Sequence, residues 1–414
     1  MAPPKLQAPR GTYDVLGEQA AARLALESVA RRVLEGAGYE RIETPVFEAT
    51  ELFSRGVGAS TDIVQKEMYT FTDAGERSLT LRPEGTAPIC RAYVEHGMHT
   101  RPLPVKLWYL SQFFRYERAQ AGRFRQFWQI GAETVGADDP AVDAESILLL
   151  WTILDELGVG GIELKLGSLG TPATRATYRE ELADYLRAHR DRLSPEVAAR
   201  IDLNPLRAFD ADDPGTREVM ASAPVLMDAL APEDLAHFEE VRARLDAAGV
   251  AYRLDPTLVR GLDYYARTVF EFTSDLLGAQ SAVGGGGRYD GLVEQLGGAP
   301  TPACGWAAGV ERILLSAEPR PLPREICDLY VAGTGVPAFA LAAEARRAGL
   351  NVQLELAGRS RKGQRKQAAR VNADFVALVE DDGSIALQDV VNGASDAVPG
   401  ATAAVAHILK GRHL

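Results

Sequence analysis

Cysteine is scarce in this chain: three residues in 414, Cys90, Cys304 and Cys327, far apart and with no Cys-x-x-Cys pair. That excludes a disulfide framework and a cysteine-built zinc site as the basis of the fold. The six histidines include no His-Glu-x-x-His. His96 and His99 have a spacing that fits one helical face, and they read as surface or packing residues rather than as a metal pair. No stretch approaches the roughly 18 apolar residues that span a bilayer, so no membrane partner is expected. The N-terminal residues, through Tyr13 and Asp14, lack an apolar signal core, and a cytoplasmic protein is expected. Lysine is rare too, supplying only seven of the 45 basic residues. With arginine this widely used, a single arginine carries little functional weight, and its neighbours must supply the specificity.

The remaining composition is that of an ordinary soluble globular protein, with 46% hydrophobic and 25% charged residues. It argues against a disordered or collagen-like chain. The length fits two or three domains and a large buried core. The formal charge of −12 neither requires nor excludes a nucleic-acid partner, because a local basic face can act within an acidic protein.

Hydrophobic spacing organises the chain. Leu26, Val29, Ala30, Val33 and Leu34 follow a helical template, so residues 18–36 read as an amphipathic helix ended by Gly36 and Gly38. Residues 39–47 read as a strand, with Pro45 favouring an edge or a bulge. Residues 105–114 and 126–135 read as the two strands of a long antiparallel hairpin around a polar loop. A helix is expected over about 141–157. Residues 172–250, rich in Ala, Leu, Glu and Arg, read as a helical insertion. Strand signals return at 251–254 and 268–273, and helices are expected near 290–297 and from 310. The clearest linker is 316–324, with three prolines in nine residues. Beyond it the pattern is βαβαβ: strands at 326–332, 351–356 and 374–380, helices at 337–349 and about 360–371. A further strand near 384–389 and a helix at 401–410 complete it. The expected fold is thus an α+β domain on an antiparallel sheet over 1–320, carrying the insertion, followed by an α/β domain over 325–414.

Two segments carry chemistry. Between Phe114 and Phe127 lie Arg115, Arg118, Arg123 and Arg125, opposed only by Glu117. Guanidinium forks suit phosphate oxygens, and a neighbouring aromatic can stack on a base. The alternative is a solvated hairpin tip. From Cys304 to Leu315 small residues precede Arg312, which suits a strand packed closely beneath a ligand or a plain strand–helix junction. The glycine run Gly284–Gly287 is no P-loop, since no Gly-Lys-Ser/Thr follows it. Close backbone approach is its expected task.

With Gly38 through Pro45, these segments resemble the three signature motifs of class II aminoacyl-tRNA synthetases, in order and at compatible spacing. Gly38…Thr44-Pro45 resembles motif 1, which implies a homodimer. Phe114-Arg115-Tyr116-Glu117 through Arg123 resembles motif 2, and Gly309-Val310-Glu311-Arg312 motif 3. The segment Arg260-Gly261-Leu262-Asp263-Tyr264-Tyr265 is similar to the signature peptide of histidyl-tRNA synthetases. Leu81-Arg82-Pro83-Glu84-Gly85-Thr86, Gln129-Ile130-Gly131-Ala132-Glu133 and Gly286-Gly287-Arg288-Tyr289-Asp290 match that family as well, and the resemblance covers essentially the whole chain.

The resemblance implies activation of L-histidine with ATP and Mg²⁺, then transfer to the terminal adenosine of tRNA(His). It assigns the histidine site to Glu84, Thr86, Gln129, Glu133, Tyr264 and Tyr265. Glu133 and Tyr265 would read the two ring nitrogens, which have distinct donor and acceptor roles. ATP would meet Arg115, Glu117, Arg123, Phe127, Arg260 and Arg312. Arg115 and Arg260 serve as catalytic cations on the α-phosphate, and no metal-ligand residues are assigned, the Mg²⁺ being held by phosphates and water. Arg118, Gln120 and Arg125 would contact the tRNA end. Arg359, Arg361, Lys362, Arg365 and Lys366, in a stretch with no acid, would bind the anticodon region through the C-terminal domain. The chain departs from the family pattern at Ala119, where proline is usual, and at Trp128, where histidine is usual. Trp128 is expected on the strand face away from the pocket. The rival reading is a catalytically inactive synthetase-like regulatory subunit of histidine biosynthesis. An intact signature peptide and the presence of 325–414 argue against it.

Overall fold

A computed structural model describes residues 5–58, 61–118, 122–258, 261–318 and 327–411. Helix α1 (Gly17–Gly36) buries Leu26, Ala30 and Leu34, one stripe at helical spacing. The chain then forms β1 (Glu40–Arg41) and β2 (Phe47–Ala49) rather than one strand over 39–47. The carbonyls of Thr44 and Pro45 instead accept from the Arg82 guanidinium, at 2.7 and 3.4 Å. Pro45 has no N–H for a ladder, so this stretch serves a buried cation. After α2 (Thr50–Gly56), strands β3 (Tyr69–Thr72) and β4 (Ser78–Leu81) complete a small antiparallel sheet ordered β2-β4-β3. Helix α3 (Thr86–Glu95) stops before His96, Gly97 turns left-handed at φ 58°, and His99 falls in the next short turn. The two histidines therefore do not share a helical face.

The hairpin strands β5 (Val105–Phe114) and β6 (Gln126–Val135) keep the expected bounds. Asp139 caps α4 (Pro140–Glu156) by accepting from the Ala141 amide at 2.8 Å, with Pro140 at the first helical position. Then come β7 (Ile162–Ser168) and the insertion helices α5 (Pro172–Ala188), α6 (Pro195–Arg200), α7 (Pro214–Met220) and α8 (Pro232–Ala247). All four begin with proline, and the first three carry a Thr, Ser or Asp cap. β8 (Arg253–Leu254), β9 (Ala266–Ser274), β10 (Ala282–Arg288), α9 (Leu292–Gln295), β11 (Ala303–Gly309) and α10 (Val310–Ser316) follow. The glycine run thus lies within a strand.

The main sheet has the order β1-β5-β6-β11-β10-β9-β7-β8, antiparallel throughout except for its two short edge strands. Strand residues point alternately to its two faces. Trp108, Ile130, Ala132, Phe270, Phe272 and Trp306 pack against α1, α4 and α8. Tyr109, Phe113, Val135, Val269 and Tyr289 face the other way, among residues of α3, α9 and the insertion.

A buried charge network fastens the insertion to this sheet. Asp143 of α4 accepts from His237 Nε2 of α8 at 2.7 Å, from the Thr268 hydroxyl at 2.7 Å and from Arg288 at 2.8 Å. Both Asp143 and Arg288 are fully buried. Removing one member leaves the others buried and poorly compensated, so Asp143→Ala should destabilise the fold by about 3–5 kcal/mol. Urea unfolding would measure this, and a loss below about 1 kcal/mol would deny the network a structural role.

The chain divides into two units, Met1–Arg320 and Pro321–Leu414. The second contains β12 (Cys327–Ala332), α11 (Val336–Arg347), β13 (Val352–Leu354), α12 (Arg361–Arg370), β14 (Ala373–Val379), β15 (Ile385–Asp389), β16 (Ser395–Val398) and α13 (Ala401–Gly411). Its sheet order is β13-β12-β14-β15-β16, the first three strands parallel. The edge strand β16 is an addition to the expected pattern. Its residues are mostly exposed and show no apolar alternation, so only pairing with β15 defines it.

Candidate active site

Alternation along β6 puts Phe127, Gln129, Gly131 and Glu133 on one face of the sheet, while Trp128, Ile130 and Ala132 join the helical side. Trp128 packs there with the Arg23 guanidinium 5.4 Å from its ring, away from the cleft as expected. The cleft has a cavity of about 310 Å³. Glu84, Thr86, Gln129, Tyr264 and Tyr265 line one part, and Arg115, Glu117, Arg123, Phe127 and Arg312 another.

Glu133 is fully buried behind the cavity wall, joined to it through Thr86. One oxygen accepts from the Thr86 hydroxyl at 2.8 Å and the other from Tyr289. A Cβ on Gly305 of the neighbouring strand would fall 1.7 Å from Glu133 Oε2, so only glycine leaves room for this carboxylate. Burial pushes the Glu133 pKa up to about 8, against the pull of its two hydroxyl donors and with Glu84 nearby. The folded chain therefore holds a proton that the unfolded chain has released between about pH 4.5 and 8. The unfolded state binds fewer protons there, so stability falls as pH rises through that interval. Thermal unfolding between pH 5 and 8 should show this slope, and Glu133→Gln should flatten it. Parallel curves for the two proteins would show that Glu133 does not titrate in that range.

Glu84 is also buried, and its oxygens accept the Thr86 and Ala87 amides at 2.8 and 3.0 Å, capping α3. Tyr264 and Tyr265 lie with ring centroids 4.7 Å apart. Arg175 of the insertion donates to the Tyr265 carbonyl at 2.5 Å. Tyr109 is a residue that sequence reasoning missed. Its ring crosses to Gly131, where a Cβ would meet the phenol oxygen at 2.3 Å. The available signal was a glycine between Gln129 and Glu133 on one strand face, a gap that a large cross-strand partner fills. Among the described residues, Tyr109 Oη and Gln129 Oε1 are buried without a hydrogen-bond partner, which suits completion by a polar ligand.

In the other part, Arg115 Nε donates to the Pro83 carbonyl at 2.9 Å, and its guanidinium lies 5.4 Å from the Phe127 ring. Glu117 pairs with Arg123 and lies 3.8 Å from Arg115. Arg312 donates to the Gly122 and Ala282 carbonyls at 3.1 and 2.7 Å. Arg118 is exposed, whereas Arg125 is held 4.1 Å over the Tyr116 ring and donates to the Glu117 carbonyl at 3.2 Å. Arg260, Gln120 and Ala119 lie outside the described residues. Among the described residues, no three His, Cys, Asp or Glu side chains converge as metal ligands would.

In the C-terminal unit, Arg359, Arg361, Lys362, Arg365 and Lys366 are all exposed. Arg359 pairs with Glu355 at 3.1 Å, and Arg361 pairs with Glu380. The stretch has no acid in sequence, yet acids from adjoining segments partner two of its cations. Among the described residues no acid pairs with Lys362, Arg365, Lys366 or Arg370, which lie at helical spacing on α12.

Comparison with known proteins bears on this arrangement. A family model for histidyl-tRNA synthetase matches residues 11–313. A histidine–tRNA ligase of Thermosynechococcus vestitus is 47% identical over 403 residues, covering 95% of this chain and 94% of the relative. The structure of apo S. aureus histidyl-tRNA synthetase matches with a TM-score of 0.80 at 33% identity, covering 98% of this chain and all of that one. A structure from Bacillus halodurans, described as an ATP phosphoribosyltransferase regulatory subunit/histidyl-tRNA synthetase, matches at 24% identity with a TM-score of 0.64, covering 89% of this chain and 97% of that one, and shows shared fold alone. The antiparallel sheet, the insertion and the C-terminal α/β unit are the class II synthetase fold. Full-length similarity and a cleft built from the very segments that carry the motifs lead to one assignment: this chain belongs to the histidyl-tRNA synthetase family.

Proposed function

We propose that this protein activates L-histidine with ATP and transfers it to the 3′-terminal adenosine of tRNA(His). The observation that carries the reading is Glu133, a buried carboxyl group held by Thr86 and Tyr289 directly behind a cleft whose lining includes Thr86, Tyr265 and three arginines. A carboxyl oxygen suits an imidazole N–H, and the Tyr265 phenol suits the second nitrogen. A site that satisfies both nitrogens rejects side chains lacking them, because its own buried groups would be left unpaired. Glu84, Thr86 and Gln129 supply acceptors for the substrate ammonium.

In activation, a histidine carboxylate oxygen attacks the α-phosphorus of ATP, the bond to the bridging oxygen breaks, and pyrophosphate leaves. Negative charge concentrates on the α-phosphate oxygens, where Arg115 and Arg260 act as fixed cations. Arg123 meets the γ-phosphate, Glu117 lies near the adenine, and Phe127 and Arg312 flank the ring by stacking and cation–π contact. Mg²⁺, carried in with ATP on phosphate oxygens and water, offsets charge on the triphosphate. Histidine-dependent exchange of labelled pyrophosphate into ATP tests the reading. Exchange driven by another amino acid, or none at all, would reject it, and the second result is what a regulatory subunit would give.

The tRNA engages the hairpin loop through Arg118, Gln120 and Arg125, and α12 through its exposed cations. Replacing Lys362, Arg365 and Lys366 together by alanine should weaken tRNA charging about tenfold or more at moderate salt and leave exchange unchanged. The slope of binding against log salt should fall by about two to three. An unchanged slope would remove this helix from the tRNA surface. The protein acts as a homodimer, a reading supported by exposed Val46, Phe47 and Phe71 beside the motif 1 segment. A cytoplasmic location agrees with three free, buried cysteines and with the absence, among the described residues, of a helix long and apolar enough to cross a membrane.

A further inference from the structure

The first residues of the chain are tied to the ATP part of the cleft by contacts to which the roles above give no task. Glu311 precedes Arg312 at the start of α10, and its side chain is 7% exposed. Its carboxylate accepts from the Trp128 amide at 3.1 Å, from Arg23 of α1 at 2.6 Å and from the Tyr13 hydroxyl at 2.9 Å. Arg23 also donates to the Tyr13 oxygen at 2.6 Å, so the phenol accepts and donates at once. Burial and the adjacent Glu311 hold its pKa well above the ordinary value, so it stays a donor at neutral pH. The Tyr13 ring lies 4.5 Å from that of Phe124. Two residues earlier, the Gly11 carbonyl accepts from the Arg125 amide at 2.8 Å.

Three of these contacts fasten on one stretch, the returning limb of the hairpin, at Phe124, Arg125 and Trp128, and the rest tie Tyr13 and Arg23 to Glu311. That limb carries Phe127 and begins beside Arg123. Its near end is held by Arg312 through the Gly122 carbonyl. Neither Tyr13 nor Arg23 lines the cavity. Whatever they do for a ligand there, they do through Glu311 and Phe124.

We propose that Tyr13, Arg23 and Glu311 form a strap of positioning residues for ATP, setting the distance between the returning limb and Arg312 that the nucleotide requires. The proposal rests on the reading of this part of the cleft as the ATP site. The histidine half hangs on α3 and on the interior of β6 around Glu133, further along the strand than the Trp128 contact. Loosening the strap therefore affects one substrate and spares the other.

Tyr13→Phe removes the hydroxyl and keeps the ring on Phe124. Calorimetry on the full chain should show ATP with Mg²⁺ binding about 5–10-fold more weakly, the scale of one ordinary intramolecular hydrogen bond. Histidine affinity should stay within about twofold. Because Tyr13 acts through Glu311, adding Tyr13→Phe to Glu311→Gln should cost less than it does alone. Wild-type ATP affinity in Tyr13→Phe would overturn the strap, as would equal weakening of both ligands, which is what general destabilisation produces. The parent reading fails separately. Wild-type protein that binds ATP but shows no histidine-dependent exchange rejects the proposed reaction and leaves the strap standing, whereas wild-type protein that binds no ATP rejects both.

Discussion

Glu133→Gln is expected to lower kcat/KM for histidine in pyrophosphate exchange by about 10²–10³-fold, close to 3–4 kcal/mol of lost transition-state stabilisation. The substitution keeps shape and volume but replaces one acceptor oxygen by an NH2 donor and removes the group's ability to ionise toward an imidazole N–H. One of the Thr86 and Tyr289 hydroxyls still donates to the amide oxygen and the other turns to accept from the amide nitrogen, so the fold has little reason to change. The amide nitrogen, a donor, then meets a ring nitrogen that also carries a proton. The effect should fall on the histidine terms, with KM for ATP nearly unaltered. Gly305→Ala reaches the same carboxylate from the next strand. Its methyl would fall 1.7 Å from Glu133 Oε2 and 2.6 Å from the Ala132 carbonyl, so both the side chain and the backbone must move. Its loss should equal or exceed that of Glu133→Gln. A Glu133→Gln enzyme with near-normal kcat/KM for histidine would sink the assignment of Glu133 to the imidazole, and with it the specificity argument.

Arg115→Ala is expected to reduce kcat of activation by about 10²–10³-fold, the scale for losing one preorganised donor at a developing anion. Arg115 is well placed for this role. It is anchored through Nε to the Pro83 carbonyl and braced against Phe127, so little reorganisation remains for the reaction step. Charge on the α-phosphate grows only as the carboxylate attacks, so the loss should fall on kcat more than on KM for ATP. Arg115→Lys should recover only a part, since an ammonium lacks the planar fork that allows one nitrogen to anchor and the others to reach. A rise in KM for ATP with unchanged kcat would instead make Arg115 a residue of uniform binding.

Much of the fold was legible because local pattern and final environment agree. The hairpin strands of 105–135 carry aromatic and β-branched residues on both faces and are buried on both. The insertion helices start at proline behind polar caps, as local chemistry dictates. Where a segment serves a distant partner, local reading failed. Residues 39–47 have a strand's composition, yet Thr44 and Pro45 give their carbonyls to Arg82. β16 exists because β15 offers it an edge. Arg359 and Arg361 read as free cations until Glu355 and Glu380 came alongside.

The same division runs through the cleft. Sequence alone determined which chemical groups are present and their order: the arginine-rich hairpin loop, Glu84 beside Thr86, Glu133 on a strand and the paired tyrosines. These are properties of short segments, and a motif carries them whole. Tertiary structure alone decided that Tyr109 fills the gap left by Gly131, that Gly305 makes space for a carboxylate on the neighbouring strand, and that Tyr13 reaches Glu311 across 298 positions. Each depends on register and approach distance between elements remote in the chain, where a shift of about one residue flips the strand face and erases the contact.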